Sequence, residues 1–439
     1  MKDHLNILFL SSRMPAHSAN LGADIITSLT RAGHHVQFGF DGIEDYINKC
    51  TAKKKSSFLR SVYIKFHYYI RKYLNNLVDY LPKLPMWWYD GIVFFNTHEK
   101  CPPLSEKIVV NNLKGNYDIC IVLFMHNMFT TKTLKAVYDK YHIPIIIYSV
   151  DMMPMTGGCY YFGECRNFEN ECGFCPVCGG TNKNDQSHKN YLYKKNVYDS
   201  IECVLFANTW MLNFARKSHL FDKSEMRCVS FNLDENVFMP LDILKCREKF
   251  GIPSNKRWVF LSRYRTIARK GMDVLVDGLN QLYDRLPIDC RKDAILILIG
   301  EKSDNINSIF KMDVLQLGFL SINELIEAYN ASTVFLCTST EDAGPSMVNQ
   351  SMACGTPVIA FDQGCALDMI DDGINGFIVP LAEKKKWADA LTKLCALTKD
   401  KYSEMRSQAR KKAVELNGLH VFANAVEKVY REFRPNGKN

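Results

Sequence analysis

Short apolar runs rich in β-branched and aromatic residues recur along this chain, and between them the apolar positions fall at helical spacing. In the first half the runs are ILFLSS (7–12), VQFGF (36–40), ICIVLF (119–124), IPIIIYSV (143–150) and CVLFAN (203–208). In the second half they are WVFLS (258–262), AILILIG (294–300), VLQLGF (314–319), VFLCTS (334–339) and PVIAF (357–361). Runs this short and this continuously apolar predict strands covered on both faces, and their alternation with helices predicts α/β layers around parallel sheets. The polar stretch NLDENVFMPLD (232–242) separates the two series, so two similar domains are expected. Beyond the last strand, Phe422, Val426, Val429, Tyr430 and Phe433 form one apolar helical stripe. That helix must cover something outside the second sheet, and the domain junction is the expected place.

One segment breaks the alternation. Residues 51–98 carry three lysines in a row (53–55), then Val62, Phe66, Tyr69, Tyr73 and Leu77 on one helical face, with Arg60, Lys65, Arg71 and Lys72 interspersed. Basic residues among aromatics suit a surface of anionic lipid, and an aromatic helix packed on its own domain is the competing reading. The whole chain has 439 residues and a net charge of +8, a bias too mild to argue for nucleic acid. No apolar run approaches the roughly 18 residues of a membrane span, and the first run is too short for a signal peptide. A cytoplasmic protein is expected, peripheral on the inner face of the plasma membrane if the basic segment binds lipid.

The stretch EDAGPSMVNQSMACGTPVIAF (341–361) ends one strand with two acids, turns into a helix and stops it at Gly355 before the next strand. Pro345 suits the start of a helix, where a missing N–H costs nothing. The N–H groups of Ser346, Met347 and Val348 then face outward at the positive end of the helix dipole, a natural phosphate site. Glu341 and Asn349 flank it as partners for hydroxyl groups. An anion site beside hydroxyl-binding groups describes a sugar nucleotide better than a bare phosphate. A second stretch, SRYRTIARKG (262–271), leaves the first strand of the second series with Arg263, Arg265, Arg269 and Lys270. In a parallel sheet both stretches leave the same, carboxyl edge, and a guanidinium fork with an ammonium suits a diphosphate there.

On these residues the second half resembles the donor-binding domain of retaining glycosyltransferases of family 4. The hallmark is an acid, seven residues and a second acid before a small-residue helix and GTPV, here Glu341, Asn349 and GTPVIAF. RYRTIARKG is similar to the family's diphosphate clamp and points to Arg263 and Lys270. LGF (317–319), DQG (362–364) and DDGINGFIVP (371–380) match in order, and ILFLSS with ANLGADIITSLTRAGHHV resembles the first strand, loop and helix. The resemblance implies a GT-B fold, two Rossmann-like domains facing across a cleft with a C-terminal helix packing at their junction. The expected division is an acceptor-side domain over 1–235 holding the 51–98 insertion and a Cys-rich module (151–180), a donor domain over 236–415, and a crossover helix over 416–439. Glu341 is implied in orienting the donor sugar, with Gly22, Gly344, Pro345, Ser346, Met347, Val348, Asn349, Gly318 and Phe319 around the donor. Departures are Asn349 for the second acid, Ala343 where an aromatic is common, and Gly22 alone where a Gly pair is usual.

Within the first domain, His126 and Asn127 in FMHNMF look like the His-Asn at the cleft of such transferases, and Asp151 stands where relatives carry His-Asp. Both His126 and Asp151 are expected to touch acceptor or donor sugar. Cys159, Cys165, Cys172, Cys175 and Cys178 resemble an insertion in bacterial exopolysaccharide transferases of colanic-acid type. Two C-x2-C steps let thiolates converge on one ion, so a closed, structural zinc is expected, with disulfides and simple buried thiols as the other readings. The reaction itself needs no metal or other cofactor. The expected function is retaining transfer of a sugar from a nucleotide-sugar donor to a hydroxyl of a glycan or lipid-linked oligosaccharide, in bacterial surface polysaccharide synthesis. A nucleotide-sugar epimerase of the same fold and a silent sugar-nucleotide-binding protein are the alternatives.

Overall fold

The apolar runs become strands because, placed side by side, each hides both of its faces. The computed structural model describes residues 4–12, 21–39, 87–89, 92–94, 98–102, 104–125 and 128–434. Nearly all of the basic aromatic segment, with the three lysines at 53–55, lies outside the described residues. Among those described, no helix is long and apolar enough to cross a membrane.

Two compact units emerge, and they are not collinear with the sequence. The first comprises Met1–Ser12, His35–Leu205 and Arg216–Glu225, and the second comprises Arg13–His34, Phe206–Ala215 and Met226–Asn439. Strands β1 (Asn6–Leu10), β2 (His35–Phe38), β5 (Ile119–Val122), β6 (Ile145–Tyr148), β8 (Cys203–Ala207) and β9 (Glu225–Cys228) form a six-stranded sheet in the order β2-β1-β5-β6-β8-β9. Its β2-β1-β5-β6 pairings are parallel. Every residue of β5 and β6 is buried, as their uninterrupted apolar sequences require. A small antiparallel sheet joins β3 (Trp87–Tyr89), β4 (Ile92–Phe94) and β7 (Cys159–Tyr161), tying the end of the aromatic segment to the Cys-rich module.

In the second unit, β10 (Trp258–Tyr264), β11 (Ala294–Gly300), β12 (Asp313–Gly318), β13 (Val334–Cys337), β14 (Val358–Phe361) and β15 (Gly376–Val379) form a fully parallel sheet ordered β12-β11-β10-β13-β14-β15. The chain winds outward one way from β10 and the other way from β13, so these neighbours flank the switch point, where open α/β sheets leave a crevice beyond their carboxyl ends. The C-terminal helix Leu419–Phe433 packs against the helix Leu21–Arg31 and the helix Lys399–Asn417. It buries Leu419, Phe422, Ala423, Val426 and Val429. The stripe read from the sequence is therefore its inner face, except that Tyr430 and Phe433 are only half-buried.

Candidate functional site

At the carboxyl ends of β10 and β13 the second unit opens a cavity of about 190 Å³. Ser262 and Arg263 enter it from β10, Cys337, Thr338 and Ser339 from the end of β13, and Gly344 to Met347 from the turn into the helix Ser346–Ala353. Lys270 reaches it from the loop after β10. That loop is laced to β13: Thr340 N donates to Arg269 O (2.8 Å) and Thr338 Oγ1 donates to Lys270 O (2.9 Å). The approach is so close that a Cβ on Gly271 would stand 1.9 Å from Thr338 O, and Gly271 adopts a φ of +67°. Only glycine fits a left-handed turn pressed against another backbone. At Gly344 a Cβ would overlap the Phe231 ring, so the second Gly of the site is also fixed by contact.

Electrostatically the cavity is cationic and partly neutralised. Burial, and then the neighbouring Arg265, lower the ordinary value of the Arg263 guanidinium, which stays charged. Lys270 is ion-paired with Asp342, and Arg269 stands 3.8 Å from the same carboxylate oxygen. Arg269 also donates to the Glu341 carbonyl (3.1 Å). The helix begins at Ser346 with Pro345 as its N-cap, so the amides of Ser346 and Met347 belong to the first turn, which has no earlier helical carbonyls to serve. Val348 N is different, since it donates to Pro345 O (2.8 Å).

Of the donor-side residues expected from sequence, the structure gathers Arg263, Lys270, Gly344, Pro345, Ser346 and Met347 around this one cavity. Asp342 lines it too, a residue the sequence reading passed over in favour of Glu341 beside it. Glu341 and Val348 are not among the lining residues. Asn349 is buried at 1% exposure, with its Nδ2 donating to Phe231 O (3.1 Å) and its Oδ1 without a partner. Gly318 and Phe319 stand at the end of β12, at the edge of the sheet, where Phe319 is exposed. Gly22 is buried in the helix Leu21–Arg31.

In the first unit, His126 and Asn127 lie outside the described residues. Asp151 accepts from Met153 N (2.8 Å), the first residue of the turn Met153–Met155 that follows it. Cys159, Cys165, Cys172 and Cys175 line a small cavity of about 20 Å³, and Cys178 is not in its wall. Burial pushes the Cys172 thiol up to about 12 and raises Cys159 well above the ordinary thiol range. Cys175 is lowered, first by a hydrogen bond from Cys178. Among the described residues no group of three or more His, Cys, Asp or Glu side chains is arranged to hold a metal ion.

Residues 255–396, which contain the whole cavity wall, match the family model described as glycosyl transferases group 1. A D-inositol 3-phosphate glycosyltransferase of Corynebacterium jeikeium is 29% identical over 205 residues, 44% of this chain and 48% of that protein. The spore coat protein SA of Bacillus subtilis is 24% identical over 203 residues, 43% of this chain and 52% of that protein. The chain thus spans about half the length of the curated relatives it matches. Among solved structures, Anabaena HepE in complex with UDP-glucose is 16% identical with a TM-score of 0.59, covering 98% of this chain and all of that one. A sucrose-phosphate synthase of Thermosynechococcus elongatus is 13% identical with a TM-score of 0.60, covering 99% of this chain and all of that one. The expected fold class, α/β and GT-B, agrees with the two six-stranded sheets and is that of these neighbours.

Proposed function

From a donor half that matches the group 1 glycosyltransferases, we propose that the chain is a retaining glycosyltransferase. It takes a sugar from a nucleoside diphosphate donor and attaches it to a hydroxyl of a glycan or lipid-linked oligosaccharide in surface polysaccharide synthesis. The observation that carries this reading is the meeting of Arg263, Lys270 and the start of the helix Ser346–Ala353 in one cavity at the switch point. A departing diphosphate gains negative charge in the transition state, and fixed cations and amide dipoles aimed at it lower the barrier without any metal. The leaving phosphate takes the acceptor's proton as attack and departure proceed on the same face of the sugar. The Anabaena neighbour was solved with UDP-glucose, which makes UDP-sugars the first donors to try.

Incubation with single nucleotide sugars, reading slow release of the nucleoside diphosphate, tests the proposal. One or a few donors are expected to be hydrolysed. Lys270→Ala should lose on the order of 10²-fold in kcat/KM, as when one charge-stabilising group is removed from a leaving-group site. Near-normal turnover in that variant, or no hydrolysis of any donor, counts against the reading. A soluble epimerised sugar nucleotide formed from the donor alone would favour the epimerase alternative.

A further inference from the structure

One carboxylate in the cavity sits where an anion from outside would be expected. Asp342 is 7% exposed, and one of its oxygens pairs with the Lys270 ammonium and stands 3.8 Å from the Arg269 guanidinium. Its other oxygen accepts from Gly344 N at 3.3 Å, a backbone donor at the turn into the helix. An ammonium, a guanidinium and a backbone N–H converging on one small acidic group have the composition of a phosphate site. The carboxylate that fills it belongs to the chain itself.

We infer that Asp342 is a built-in counter-ion of the phosphate site, seated on Lys270 in the empty enzyme and exchanged for a phosphate of the bound donor. The inference rests on the proposed reading of this cavity as a diphosphate site and adds a residue that nothing in that reading assigns. Its physical basis is the cost of leaving charges half-buried and unpaired. Lys270 is largely buried beside Arg263 in the wall of the cavity, and cations gathered there need an anion nearby. Asp342 supplies one charge, whereas a diphosphate brings more and can span both cations, so exchange is favourable for the donor. A single inorganic phosphate, or a carboxylate from solution, gains much less by the exchange. The site therefore discriminates by charge: it is covered against weak anions and opens to a diphosphate. Lys270 is also held in place before the donor arrives, which spares part of the ordering cost on binding.

Calorimetric titration of the full-length protein with inorganic pyrophosphate tests this. Asp342→Asn keeps the shape of the side chain and an acceptor for Gly344 N, but removes the charge that competes for Lys270. It should tighten pyrophosphate binding about tenfold, the change expected for about 1.4 kcal/mol of lost competition. Asp342→Glu restores the charge and should return the affinity toward that of the unaltered protein. Adding Asp342→Asn to Lys270→Ala should give little or no gain, because the two residues act through one pair. Unchanged or weaker pyrophosphate binding in Asp342→Asn, with Asp342→Glu no closer to the starting value, would overturn the inference and make Asp342 a loop support only. Failure of the transferase reading looks different: Asp342→Asn tightens pyrophosphate binding, yet no nucleotide sugar is hydrolysed by any form of the protein.

Discussion

Gly271 shows how much of the site depends on a residue without a side chain. Lys270 precedes it, and the two loops that carry Lys270 and Thr338 are bonded backbone to backbone and hydroxyl to backbone. A methyl group at 271 cannot be accommodated against Thr338 O, and the left-handed φ of +67° adds strain of its own. Gly271→Ala should therefore push the loop outward and carry Lys270 off the cavity. The expected outcome is a loss in kcat/KM of on the order of 10²-fold, comparable to Lys270→Ala, for a cost in stability of about 1–3 kcal/mol. Donor hydrolysis and thermal melting of the same variant decide it, and a fully active variant would show that the loop has room to shift. At this scale the basic loop was legible because charge, glycine and strand end coincide in one short stretch. Asp342 was not, because two adjacent acids look alike in sequence and only the backbone turn tells which one faces Lys270. Asn349 likewise reads as a ligand for hydroxyls by spacing alone, whereas its side chain is engaged with a buried carbonyl from a segment more than a hundred residues away.

Among the elements, strands with continuous apolar sequences could be read directly, and those that owe their pairing to neighbours could not. WVFLS was legible as a strand, but β10 runs two residues further, through Arg263 and Tyr264, which pair with Ile299 and Gly300 of β11. The strand Gly376–Val379 is introduced by the loop-like DDGIN and is short, so pairing along β14 defines it. The edge strand Glu225–Cys228 alternates Glu225 and Arg227 with Met226 and Cys228, a pattern too short to be read as a strand without its neighbour. The C-terminal helix lies at the other extreme, with a clear stripe whose two ends differ in depth. Phe422 is fully buried, its ring 6.1 Å from that of Phe206, while Phe433 is the last residue of the helix and keeps contact with water. Phe422→Ala should cost about 3–5 kcal/mol, the range for emptying an aromatic site in a packed core. Phe433→Ala should cost well under half as much, since less apolar area leaves the solvent there. Comparable shifts in denaturant midpoint for the two variants would mean that the stripe is buried evenly to its end.

The second unit as a whole is assembled from separated stretches of the chain, residues 13–34, 206–215 and 226–439, and that assembly buries an acid. Asp24 lies on the helix Leu21–Arg31 at 8% exposure, and its pKa is raised to about 7, first by burial and then by the Asp234 carboxylate. Asp234 itself is paired with Arg31 at 2.9 Å, so the guanidinium is committed to the other acid. In the unfolded chain an aspartate titrates near 4. Between about pH 4 and pH 7 the folded protein therefore holds a proton that the unfolded chain has lost. Stability from this group is full below about pH 4, falls as the pH rises through that window at no more than about 1.4 kcal/mol per unit, and levels off above about pH 7. Asp24→Asn is neutral at every pH and keeps the size of the side chain, so it should remove this loss. The variant is expected to gain on the order of 2–4 kcal/mol over the unaltered protein at pH 8 and much less at pH 5. Thermal melting of both forms at the two pH values isolates the difference, because every other titrating group is common to them. A gain of the same size at pH 5 and pH 8 would mean that Asp24 is not the group whose proton folding retains.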